Sequence, residues 1–142
     1  MINMNYVIDA NVLMSILISG KAIYKPVLSF YNFILPEFAL IEIDKYKELI
    51  FENSKLGKTE LINFSYSVFS EITILPNFVM DDFVIEKAIE LTKNIDIKDV
   101  IYIALSMQLD LTLLTRDKKL IKGVKKKKYN KIMLFDDFLS KV

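Results

Sequence analysis

Apolar residues along the chain gather into five short, bounded runs: Tyr6 to Ile8, Phe33 to Leu35, Ile72 to Leu75, Leu111 to Thr115 and Lys131 to Phe135. Within each run the apolar character is continuous rather than alternating, which is how a strand covered on both faces reads. Segments with helical period fall between them, at about Asn11 to Ile18, Glu37 to Glu52, Lys58 to Ser70, Asp81 to Asn94, Lys98 to Leu109 and Lys118 to Val124. Alternation of strands and helices implies a parallel sheet with helices on both faces, joined by right-handed crossovers. The expected fold is therefore α/β: a three-layer α/β/α sandwich around a five-stranded, mainly parallel sheet. No repeat or Pro/Gly/Ser linker divides residues 1–142, which are expected to form one domain.

In such a fold the helix N-termini and strand C-termini meet along one sheet edge, where ligands bind. Several acids fall at those positions. Asp9 ends the first apolar run, with Asn11 two residues on and the helical pattern Val12-Leu13-Met14 beginning at once. Taken alone, Asp9 is equally well read as a helix cap and as a ligand at the crevice. Glu42 lies early in the second helical segment. At about 100° per residue Ala39, Ile43, Tyr46, Leu49 and Ile50 form one apolar stripe, and Glu42 falls inside it, between the directions of Tyr46 and Leu49, so it is the one charge that helix points inward. A lone inward carboxylate is costly unless it is paired or bound to metal; pairing with a nearby Lys is the plainer reading. Asp96 and Asp99 open a helix that is apolar almost all round, and Asp117 follows the fourth run through Thr115-Arg116. Capping accounts well for Asp96, less well for Asp99. Asp81-Asp82 and Asp136-Asp137 are expected to be ordinary helix-start acids.

Composition narrows the chemistry. The chain has no His and no Cys. This removes imidazole bases, Ser-His-Asp triads, thiol nucleophiles, disulfides and zinc ribbons. Any metal must sit on oxygen ligands, which suits hard cations such as Mg²⁺ and Mn²⁺. Converging carboxylates raise one another's pKa. A divalent cation removes that repulsion and makes water acidic enough to attack a phosphodiester. No apolar run is long enough to cross a bilayer and no signal peptide is evident at the N-terminus, so a cytoplasmic protein is expected. The net charge of +1 hides a local basic block, Lys125-Lys126-Lys127-Lys128. That block reads equally as an RNA-backbone contact and as a solvated loop.

Four stretches together resemble the PIN domain, a small nuclease domain of the kind found in the toxins of VapBC toxin–antitoxin pairs. Val7-Ile8-Asp9-Ala10-Asn11-Val12-Leu13 resembles its first motif, a strand ending in Asp-x-Asn. Pro36-Glu37 through Leu40-Ile41-Glu42-Ile43 resembles the second, Asp99-Val100-Ile101-Tyr102-Ile103-Ala104-Leu105 the third, and Leu113-Leu114-Thr115-Arg116-Asp117-Lys118-Lys119-Leu120 the fourth. Each motif is weak alone; their order and placement together are specific. The resemblance implies that Asp9, Glu42, Asp99 and Asp117 form an acidic quartet holding Mg²⁺ or Mn²⁺ and carry catalysis. Asn11 and Thr115 would orient the quartet. Asp96 matches a version of the third motif with an extra upstream Asp, and would be a further ligand.

The resemblance also implies a Mg/Mn-dependent endoribonuclease, the toxin of a type II toxin–antitoxin pair, with RNA as substrate, a small antitoxin as partner and a homodimeric assembly. The competing expectation is a PIN-like RNA-processing or RNA-binding protein outside such a pair, with little or no catalysis. A phosphoacceptor receiver domain shares the fold class, but it needs paired acids after the first strand and an Asp after the third. Here the first strand offers only Asp9, and the third ends in Leu75-Pro76-Asn77.

Overall fold

A computed structural model describes residues 4–142; Met1 to Asn3, the start of the expected domain and signal-free N-terminus, lie outside the described residues. Five strands form one all-parallel sheet: β1 (Asn5–Ile8), β2 (Asn32–Pro36), β3 (Ile72–Leu75), β4 (Leu113–Thr115) and β5 (Ile132–Leu134), in the order β3-β2-β1-β4-β5. The apolar runs thus become strands within two residues of their expected bounds. The α/β class is as expected, and the sheet is parallel throughout. Val7, Ile8, Phe33, Leu35, Leu113 and Leu114 are fully buried, as continuous apolar runs require.

The helices are α1 (Ala10–Ser19), α2 (Tyr24–Phe30), α3 (Phe38–Lys45), α4 (Lys47–Asn53), α5 (Lys58–Glu71), α6 (Asp82–Thr92), α7 (Val100–Leu109), α8 (Lys118–Lys126) and α9 (Phe135–Leu139). Connections step one way from β1 to β2 to β3. They then cross back over the sheet to β4 and continue to β5. Right-handed crossovers therefore place α1 to α5 on one face and α6 to α8 on the other. The packing agrees, with α1 against α3, α4 and α5, and α6 against α7 and α8. The direction of winding reverses between β1 and β4, and the crevice of such a sheet opens there.

Three elements depart from the sequence expectation. The expected helix from Glu37 to Glu52 is two, broken at Tyr46, whose N–H is shared between the carbonyls of Glu42 and Ile43. The break lets Ile43 and Ile50 both bury while α3 and α4 each lean on α1. It also turns Tyr46 and Leu49 outward, at 40% and 50% exposure, so of the expected apolar stripe only Ala39, Ile43 and Ile50 are buried. Helix α2 lies in the stretch between Ile18 and Phe33, where no element was expected. Gly20 ends α1 in the left-handed conformation, and Pro26 sits in the first turn of α2, where its missing N–H costs nothing. The segment before α7 is a 3-10 turn over Ile97–Asp99, so regular helix starts at Val100 rather than Lys98.

Helix α9 closes the fold on aromatic rings. Phe138 meets Tyr6, Tyr31 and Phe33 edge-on, at centroid distances of 4.9, 5.0 and 5.8 Å. Among the described residues no helix is long and apolar enough to cross a membrane.

Candidate functional site

Asp9 is both a cap and a member of the acidic edge, so the two sequence readings are not exclusive. Oδ1 accepts the Val12 N–H at 2.9 Å, which satisfies one open donor of α1. Oδ2 accepts the Thr115 hydroxyl at 2.7 Å across the β1/β4 reversal. Thr115 is fully buried, and its Oγ also accepts the Asp117 N–H at 3.1 Å. One hydroxyl thus ties the end of β1 to the corner after β4. Asp117 caps α8 through Oδ1, which accepts the Leu120 N–H at 3.0 Å.

Asp96 and Asp99 reach the same place from the turn before α7. Asp96 Oδ1 accepts the Lys98 N–H at 3.1 Å, the local cap expected of it. Yet one oxygen from each of Asp96, Asp99 and Asp117 lies within 4.8 Å of the others. All three residues are half-buried. Asp96, expected as an addition to the quartet, therefore stands at the centre of the tightest grouping. Asp9 and Glu42 lie outside that triad, close enough that their charges act on their neighbours. Burial pushes the Asp9 carboxyl up to about 6, with the charges of Glu42 and Asp117 adding to it and the bonds from Thr115 and Val12 opposing. Burial also raises Asp99, to about 8, helped by the negative charges of Asp96, Asp9 and Asp117. Acids held this far from their ordinary range are under-neutralised. The donor set is all oxygen, and it fits a hard divalent cation.

Glu42 is half-buried, while Asp44, Lys45, Lys47 and Glu48 on the same stretch are exposed. It is the inward charge of α3, as expected, but its partner is not a Lys. The Tyr102 hydroxyl donates to Glu42 Oε1. Tyr102 is 2% exposed, and burial together with the Glu42 carboxylate holds its proton on well above the ordinary tyrosine range. Sequence reasoning passed over Tyr102 as one more apolar position of α7. The signal was there: it sits three residues after Asp99, on the same turn of helix, and a buried Tyr needs a partner for its hydroxyl.

Asn11 is exposed, and among the described residues it makes no hydrogen bond to the acids, unlike Thr115. The lysine block also divides. Lys127 Nζ donates to the carbonyls of Glu90, Leu91 and Lys93 at 2.9, 3.3 and 3.0 Å, closing the last turn of α6. Lys128 takes the left-handed conformation at φ 69°, where the N–H groups of Lys128 and Tyr129 turn back to Lys125 and Val124 and end α8. Lys127 is thus tied to the end of α6, while among the described residues the side chains of Lys125, Lys126 and Lys128 make no such bond; all four are exposed. Asp81 is corrected as well. Its Oδ2 accepts from Gln108 rather than from the first turn of α6.

A family model for the PIN domain matches residues 7–135 of the chain. The chain is also similar to the crystal structure of PAE2754 from Pyrobaculum aerophilum, with a TM-score of 0.64 and 15% sequence identity over 96% of this chain and 88% of that one. At that identity the likeness concerns the fold. No curated protein matches the sequence.

Proposed function

The chain belongs to the PIN domain family, and from that premise we propose that it is a divalent-metal-dependent endoribonuclease. PIN domains are generally nucleases that act on nucleic acid and typically use a divalent metal. The observation that carries the reading here is the convergence of Asp96, Asp99 and Asp117 beside Asp9, whose carboxyl is raised by burial. Asp9, Glu42, Asp99 and Asp117 are assigned to the cation and to catalysis, with Asp96 as a further ligand. A bound Mg²⁺ or Mn²⁺ supplies acidified water and neutralises charge on the phosphoryl group.

The chain's own residues supply position. Thr115 holds Asp9 and, through the Asp117 N–H, fixes the corner that carries Asp117. Tyr102 holds Glu42. The α1 backbone pins the second oxygen of Asp9, so that carboxylate cannot swing away when the site is empty of substrate. The half-buried setting limits water around the acids, which strengthens each charge interaction.

Asp99→Asn keeps the shape of the side chain and removes its charge. The expected result is loss of metal-dependent cleavage of single-stranded RNA by a protein that remains folded by circular dichroism. Cleavage at the native rate would remove Asp99 from the site. Native protein that binds RNA but never cuts it with either metal would favour a non-catalytic RNA-binding or RNA-processing role.

By the same family likeness the protein is assigned to the cytoplasm as a homodimeric toxin held in check by a small antitoxin. Growth arrest on expression of the native chain alone, relieved by Asp9→Asn and by co-expression of a small protein encoded beside it, is expected. Normal growth with abundant soluble protein would sink the toxin assignment and leave the nuclease one standing.

A further inference from the structure

Asp117 stands between two grooves of different chemistry. One groove, of about 480 Å³, has an apolar floor of Met14 and Ile18, with Ser15 beside them, and a rim of the exposed Leu49, Asn11 and Arg116. Asp117 itself forms part of its wall. A second groove of about 490 Å³, which begins at the next residue in the chain, is lined by Lys118, Lys122, Lys125 and Lys141, with Asp137 as its one acid. Lys118, Lys122 and Lys125 are spaced four and three apart on α8, so they form one stripe leading away from the acids.

Arg116 immediately precedes Asp117, yet among the described residues its guanidinium makes no ion pair and no hydrogen bond. It does not neutralise the acids beside it, and its fork of donors is open to a partner from solvent. Asn11 is likewise exposed and without a bond to the acids, and its amide offers both donors and an acceptor. An apolar floor with a planar guanidinium and an amide at the rim is the chemistry that holds an unpaired base. The volume is that of a small-ligand pocket. The lysine groove has no aromatic ring, so it suits backbone phosphates and reads no sequence.

We propose that the groove of Met14, Ile18, Leu49, Asn11 and Arg116 is a base-reading subsite for single-stranded nucleic acid, taking guanine next to the phosphate held at the acids. The inference rests on the nuclease reading for its neighbour and names what that site selects. Guanine follows from Arg116, whose two parallel donors match the O6 and N7 acceptors of that base. The strand then leaves over Lys118 and Lys122, which hold it without regard to sequence.

Binding separates the subsite from cleavage. Asp99→Asn protein with Mg²⁺ is titrated with short uridine strands carrying one central guanine, adenine or cytosine, followed by fluorescence anisotropy at several salt concentrations. The guanine strand is expected to bind about tenfold tighter than the others, on the scale of one paired base contact. Arg116→Ala is expected to erase that difference. Lys118→Ser with Lys122→Ser is expected to weaken all strands alike and flatten the salt slope by up to ~0.7 per lost contact, while the guanine preference stays. Equal affinity for all strands overturns the proposal. So does an Arg116→Ala loss that is uniform across strands and comes with a flatter slope, since Arg116 is then a phosphate contact. A preference kept only with ribose strands assigns the pocket to RNA, and one kept only with deoxyribose strands assigns it to DNA. A guanine preference in a protein whose native form cuts nothing would leave the subsite standing and sink the nuclease reading alone.

Discussion

Tyr102 engages one of the two oxygens of Glu42, and that fixes how the acid can present the other. Partners of this kind set the orientation and basicity of metal-binding carboxylates, and their loss weakens metal affinity by about tenfold or more. Tyr102→Phe is therefore expected to lower Mn²⁺ affinity by about that factor in a calorimetric titration. It should do so without loss of helix signal, because the ring still fills its place in the core. Unchanged affinity would leave Tyr102 as core alone. The raised acids carry a pH dependence whose sign is set by their direction. Asp9 is lifted from 3.8 to about 6, and Asp99 from the same value to about 8. The folded metal-free protein holds these protons more tightly than the unfolded chain does. Their contribution to stability is thus fully present below pH 3.8 and is lost as pH rises through about 6 and about 8. Urea melts of metal-free protein should show native stability falling relative to Asp99→Asn between those limits. A constant difference across that range would mean Asp99 is not raised by its neighbours.

At the scale of elements, α9 tests how much five residues can hold. Phe138 is 3% exposed and packs on β1, β2 and the end of α2 through Tyr6, Phe33 and Tyr31. Phe138→Ala is expected to cost about 3–5 kcal/mol, seen as a shift of the urea midpoint. A loss below about 1 kcal/mol would mean that the cluster collapses around the gap. Strand β3, half-buried at the sheet edge, was legible in the sequence from its short apolar run alone. Strands such as β2 and β4 were legible because burial on both faces keeps Phe33 to Leu35 and Leu113 to Leu114 apolar throughout. Helix α7 was legible for the same reason. What was not legible arose from tertiary fit. The break at Tyr46 lets α3 and α4 each pack on α1, a tertiary fit that no local period encodes. Lys127 looked like its neighbours because the carbonyls it closes belong to a helix more than thirty residues earlier. Among the site residues, Asp9, Asp99 and Asp117 announced themselves by falling at strand and helix ends. Tyr102 did not, because a tyrosine in an apolar helix reads as core until its hydroxyl has a partner.

Over the whole molecule, the acids gather where the sheet reverses its winding, between β1 and β4. Their burial and mutual repulsion are a cost the folded chain bears. Saturating Mn²⁺ at about a hundred times Kd is expected to stabilise the protein by roughly 2.7 kcal/mol, provided the unfolded chain does not bind. Melting curves that superimpose with EDTA and with excess Mn²⁺ would count against the metal site. The hydrogen bond that joins the two sides of the reversal, from Thr115 to Asp9, links residues 106 positions apart. Contacts so distant in sequence form late, because the loop they close must first be ordered. On a ribosome, Asp9 and Glu42 emerge long before Asp96, Asp99 and Asp117. The acidic edge of a nascent chain of this topology is consequently incomplete through most of its own synthesis. It is assembled only after β4 has left the exit tunnel and slotted in beside β1.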